Sequence, residues 1–207
     1  MQRETQAGGV LAVSSLTEYF RDALQGALAH QHLSVEDQTE QYVVNMLTLF
    51  ARAEHLYEGV PSGAKMPPLV NLFANAVEAP TALERERALQ RLGDISLFIA
   101  GFFAHGFARR LVDIDYHIAM GGRAYGTLAD ALGRGPRRVI AAVYGELAAK
   151  FQPLVDALGE ISDAARTYTQ ADVLRLYEIW LRTGSARARG LLAQLGVAAA
   201  PATLKSQ

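Results

Sequence analysis

Residues 95–108 read Ile-Ser-Leu-Phe-Ile-Ala-Gly-Phe-Phe-Ala-His-Gly-Phe-Ala, the most apolar window of the chain, and residues 111–125 read Leu-Val-Asp-Ile-Asp-Tyr-His-Ile-Ala-Met-Gly-Gly-Arg-Ala-Tyr. The fold turns on how these two runs are read. Neither alternates apolar with polar residues as a half-buried strand does, and both carry the three- and four-residue apolar spacing of a helix. His105 interrupts the first run and Arg109-Arg110 closes it, short of the roughly 18–20 apolar residues that cross a bilayer. The pair is therefore predicted to be a buried helical hairpin, 82–108 with 111–132, around which the other helices pack. Gly93, Gly101, Gly106, Gly121, Gly122 and Gly126 are concentrated there. Each costs about 1 kcal/mol against alanine in a helix interior, so their density implies close helix–helix approach or, alternatively, backbone lining a ligand pocket.

Outward from this hairpin the helical period continues. Tyr42, Met46, Leu49 and Phe50 form one stripe, and Val173, Leu174, Tyr177, Trp180 and Leu181 form another. Helices are expected near 15–32, 35–58, 67–78, 82–108, 111–132, 137–150, 153–165, 170–183 and 185–195. Four Ser/Thr-x-x-acid boxes mark helix starts, at Ser15 with Glu18, Ser34 with Asp37, Thr81 with Glu84 and Thr169 with Asp172. Such a pair satisfies two orphan amides at once. Gly59-Val-Pro-Ser-Gly63, Ala79-Pro80 and Gly133-Arg-Gly-Pro136 read as breaks, and Pro153 either opens a new helix or kinks a long one. The expectation is an all-α, single-domain multi-helix bundle of about eight or nine helices over 13–196. Residues 1–12 and 197–207 read as disordered tails.

Composition narrows the function classes. A chain of 207 residues, half of them apolar, suits one core. A net charge of −1 carries no polyanion-binding signature, so nucleic acid is not an expected partner. The charge is unevenly spread: 12 acids against 7 bases over 1–100, and 9 against 13 over 101–207. The absence of cysteine removes disulfides, thiolate metal sites and a cysteine nucleophile. The apolar stretch from Val10 to Val13 is too short for a secretory signal, and a cytoplasmic protein without membrane association is expected.

Candidate chemistry is sparse. In a helix, Asp113 and His117 share a face and could present a carboxylate and an imidazole to one metal or one proton. Glu54 and Glu58 share another face. A di-metal bundle would want Glu-x-x-His on two helices, and that motif occurs nowhere in the chain; Asp113, His117, Glu54 and Glu58 are the only metal candidates, and no cofactor is expected. His105, inside an apolar run, reads as a satisfied core histidine or a tuned base. Asp94 reads as a buried acid joining two helices, with Arg91, Arg109 or Tyr125 as partner. Arg134, Arg137 and Arg138 stand at a helix start, where exposed amides and guanidinium groups suit an anion. The chain holds no GxxxxGK[ST] and no GxSxG. Tyr177 and Trp180 are either core residues or partner-binding anchors.

Gly93-Asp94, Gly101-Phe-Phe, Asp113-x-Asp115-Tyr116, Met120-Gly121 and Leu176-Tyr-Glu-x-Trp180-Leu resemble phrases of a set of bacterial helical proteins. The resemblance runs from Gln41 to Leu195 and implies neither a fold name nor a catalytic residue. Helix signals are plentiful and every catalytic constellation is incomplete. The expected function is thus a non-enzymatic helical interaction or regulatory module that associates with itself as a homo-oligomer. The alternatives are a metal- or cofactor-dependent enzyme, and a small-molecule sensor whose apolar pocket is lined by Phe98, Phe102, Phe103 and Tyr116.

Overall fold

In a computed structural model, residues 13–57, 69–103, 114–163 and 170–197 are described, less the side chains of 13–15, 52–57, 170–172 and 175. They form nine helices and no strand. In chain order these are α1 (Val13–His30), α2 (Asp37–Tyr57), α3 (Leu69–Glu78), α4 (Ala82–Phe102), α5 (Ile114–Leu132), α6 (Arg138–Ala149), α7 (Phe151–Asp163), α8 (Gln170–Thr183) and α9 (Ala186–Gln194). The all-α bundle expected from the apolar period is what the chain builds. No helix among the described residues is long and apolar enough to cross a membrane.

The helix ends follow local chemistry where the chain supplies it. Thr81 caps α4 by accepting from the Glu84 amide at 3.2 Å, while its hydroxyl donates to the Glu84 carboxylate at 2.7 Å, as its box predicts. The other boxes fare differently. Ser15 lies inside α1, and Thr169 with the Asp172 side chain falls outside the described residues. Ser34 does not cap α2, which starts three residues later; there, Glu146 of α6 accepts from the Glu36 amide at 3.1 Å and from the Thr39 hydroxyl. A tertiary carboxylate has replaced the local cap. At the far end of α1, His32 adopts φ 53°. The Leu33 amide donates to the Leu28 carbonyl at 2.9 Å and the His32 amide to that of Ala29 at 3.1 Å, a Schellman closure. Gly196, with φ 80°, closes α9 in the same way through Val197. Of the expected tails, 1–12 and 198–207 lie outside the described residues. Pro153 sits in the first turn of α7, where its missing amide costs no helical bond.

The α4–α5 hairpin is the centre of the bundle. On it pack α3 and α7 against α4, and α6 and α8 against α5, while α1 lies on α7, α2 on α1 and α6, and α9 on α7 and α8. Three of the expected glycines have a packing reason. A Cβ at Gly93 would lie 2.5 Å from the Tyr125 ring, one at Gly101 would lie 2.5 Å from Leu158 Cβ, and one at Gly121 would lie 2.2 Å from the Phe151 ring. Gly101 thus serves the approach of α7 rather than that of the other hairpin arm. Gly122 and Gly126 have only ordinary contacts, and Gly106 lies outside the described residues.

Ser96, fully buried beside Gly121, has a hydroxyl with no hydrogen-bond partner among the described residues. A buried unmatched hydroxyl carries a desolvation cost, so Ser96→Ala is expected to stabilise the fold by about 1 kcal/mol in a urea melt. A loss of stability would show that the hydroxyl is satisfied.

Two apolar stripes turned differently from expectation. On α2 the buried apolar residues are Val43, Val44, Met46 and Leu47, and Leu49 is exposed, because this helix is gripped by α1 on one side and α6 on the other. On α8 the buried face is Leu176 and Ile179, and Leu174 and Leu181 point to solvent.

Candidate functional site

Polar groups from four helices meet at Asp94. The Tyr42 hydroxyl of α2 and the Tyr125 hydroxyl of α5 both donate to Asp94 Oδ1 of α4, each at 2.7 Å. Gln90, one turn earlier on α4, donates to the Tyr42 oxygen at 3.1 Å. Tyr144 of α6 stacks on Tyr125 with centroids 5.8 Å apart, and Tyr42 stands edge-on to both rings. The local sequence explains the geometry. Gly93 has no Cβ, so the Tyr125 ring lies against the α4 backbone and its hydroxyl reaches the next residue, Asp94. Of the three expected partners of Asp94, Tyr125 is the one in place. Arg91 is exposed, Arg109 lies outside the described residues, and Tyr42 was not foreseen from sequence.

Burial pushes Asp94 up to about 6, against the hydrogen bonds from Tyr42, Tyr125 and Gln90, which favour the carboxylate. Burial, with the adjoining carboxylate, raises Tyr42 and Tyr125 above the ordinary phenol range, and burial likewise raises Tyr144. Tyr42 and Tyr125 are therefore neutral donors to Asp94. The arrangement is a tie that joins α2, α4 and α5 around one carboxylate oxygen.

A second polar cluster fastens α9. Asp156 of α7 accepts from the Ser185 hydroxyl at 2.7 Å, from Gln152 at 3.0 Å and from the Arg187 amide at 3.3 Å. Burial raises its carboxyl, with the hydrogen bonds from Ser185 and the Arg187 amide opposing. Ser185 also caps α9 through the Ala188 amide at 3.0 Å. The Arg187 guanidinium pairs with Asp163 and lies over Gly159, where a Cβ would come within 2.8 Å of it.

At the start of α2, Glu146 is also paired with Lys150 at 2.6 Å, and Lys150 reaches the Ser34 carbonyl at 2.8 Å. Although burial raises the Glu146 carboxyl, the hydrogen bonds from Lys150, Thr39 and the Glu36 amide outweigh it and hold the group below the usual carboxylate range. A groove of about 600 Å³ opens beside it, lined by Glu36 to Thr39 of the α2 entry and by Ala142, Val143 and Glu146 of α6.

The remaining candidates are dispersed. His117 is buried with its ring 6.5 Å from that of Tyr116. Asp113 and Glu58 lie outside the described residues, as does the Glu54 side chain. Three or more metal-ligating side chains do not gather anywhere among the described residues. His105 is also outside them. Arg137 makes two hydrogen bonds to Glu86 of α4, at 2.8 and 2.9 Å, while Arg134 and Arg138 are exposed. Phe98 is packed by rings, stacked on Phe50 at 4.7 Å and touching Phe102 and Phe103, and Tyr116 is exposed. Tyr177 and Trp180 are half-buried with centroids 5.6 Å apart.

Two apolar sets lie on the surface, one on α3 that sequence reading missed and one on α8 that belongs to the stripe read there. Val70, Phe73 and Val77 of α3 are 59%, 46% and 65% exposed, and Leu174 and Leu181 of α8 are 71% and 50% exposed. Each set follows i, i+3 and i+7, with Tyr177 completing the second. The signal was present on α3, where Leu69, Leu72 and Ala76 already supply a core face and a second apolar face remains. No protein-family model, no curated protein and no solved structure matches this chain.

Proposed function

We propose that this chain is a non-enzymatic helical module that associates with copies of itself, acting in the cytoplasm. The observation that carries this reading is the pair of exposed apolar seams on α3 and α8, each one heptad long. Scattered apolar residues on a surface need no explanation, whereas aligned ones at helical spacing are what a partner helix covers. The polar clusters support the same reading from the other side. Asp94 and Asp156 are each hydrogen-bonded to neighbouring helices of their own chain, which makes them parts of a rigid scaffold that presents the seams. Sedimentation velocity over a wide concentration range is expected to show a reversible increase in mass above that of a 22.4 kDa chain. A constant monomer mass across that range would remove the proposal.

A further inference from the structure

Resting on that reading, we propose that two copies join through α3 in an isologous, antiparallel pair whose two-fold axis passes between Phe73 and Ala74. Three observations point to α3 and to this direction. First, Leu69, Leu72 and Ala76 are buried against the chain's own core while Val70, Phe73 and Val77 stand out, so among the described residues the helix has a finished inner face and an exposed outer one.

Second, the face complements itself. With the axis between 73 and 74, Val70 meets Val77 of the second copy, and the bulky Phe73 lies over the small Ala74 of that copy. Large opposite small is how helix faces interdigitate. Third, the charge suits an antiparallel contact. From Leu69 to Val77 the helix has no charged residue, and Glu78 is its last. A two-fold axis sets each residue against its symmetry mate, so an uncharged face meets itself without repulsion. The antiparallel direction brings Glu78 beside the positive N-terminal end of the second α3, where an anion is favoured. A parallel pair would set Glu78 against Glu78. The α8 seam is less suited, because it is bordered by Glu178 and by Arg182, which already lies 4.0 Å from Asp115.

The ten residues of α3 extend about 15 Å, which covers less than the ~800 Å² per partner of a standard stable interface. The dimer is therefore weak and concentration-dependent.

Because the chain has no cysteine, single introduced cysteines report position cleanly. Val70→Cys and Val77→Cys proteins, each confirmed folded by circular dichroism, are treated with a short bismaleimide alone and as an equimolar mixture. The mixture is expected to give several-fold more linked dimer than either protein alone. Equal linking of Val70→Cys by itself would overturn the antiparallel pairing. In sedimentation, Phe73→Glu is expected to raise Kd at least about tenfold, since the symmetry brings two carboxylates together; Val77→Lys serves if that variant does not fold. Unchanged association in these variants would overturn the α3 assignment while leaving self-association intact. A parent protein that is monomeric throughout would overturn both.

Discussion

Gly101→Leu is expected to destabilise the fold by about 3 kcal/mol or more. The cost comes from a contact that cannot yield cheaply. A Cβ at this position would stand 2.5 Å from the Cβ of Leu158, with two further Leu158 atoms within 3.4 Å. A Cβ moves only with its backbone, so relief requires α4 and α7 to separate, which opens voids along a close-packed seam. Gly26 of α1 is the control. Nothing lies within 4 Å of a Cβ placed there, so Gly26→Ala should stabilise by up to about 1 kcal/mol through helix propensity. Urea melts of both variants decide the matter. A Gly101→Leu protein as stable as its parent would mean that the α4–α7 approach is looser than described.

The second large effect is a dependence of stability on pH that Asp94→Asn should abolish. The folded carboxyl titrates near 6 and the unfolded one near 3.8, so between these values the folded chain holds a proton that the unfolded chain releases. Stability from this group is therefore complete below the lower value, is lost as pH rises to 6, and is level above it. The loss is about 1–3 kcal/mol. Asparagine keeps an oxygen that accepts from Tyr42 and Tyr125 and has no charge to desolvate. The variant should match its parent near pH 4 and exceed its stability by about the same 1–3 kcal/mol at pH 7. Asp156 is raised in the same sense and Glu146 is lowered in the opposite one, so the difference between parent and variant, not the parent's profile alone, is the quantity to measure. A difference that grows in the parent's favour with rising pH would show that the phenol hydrogen bonds outweigh burial.

Much of this architecture was legible before any coordinates. The helix expected over 82–108 starts where the Thr81–Glu84 box places it and ends earlier, at Phe102; its start and its apolar face are local signals, since a cap acts within one turn and amphipathic spacing within a few. Asp94 beside Gly93 could be read as a buried acid in need of a partner, with Arg91, Arg109 and Tyr125 as candidates by residue type; only the packing of the Tyr125 ring on Gly93 chose among them. Tyr42 could not be found in this way. It lies 52 residues from Asp94 within an apolar stripe, and no spacing rule relates α2 to α4. The start of α2 shows the same limit. Ser34 has the right residue type for a cap, but Glu146 on a distant helix occupies the position.

By itself, then, the chain determined its helices, most of their ends and the need for close packing in its centre, because these depend on interactions between neighbours in sequence. Tertiary structure decided which face of each helix is buried. α8 carries Val173, Leu174, Leu176, Tyr177, Ile179, Trp180 and Leu181 around much of its circumference, so hydrophobicity alone cannot say that Leu176 and Ile179 go inward and Leu174 and Leu181 outward. On α3 the inner face goes to Leu69, Leu72 and Ala76 because α4 lies on that side. The apolar residues left over, Val70, Phe73 and Val77, become a surface feature only once the core has been filled without them.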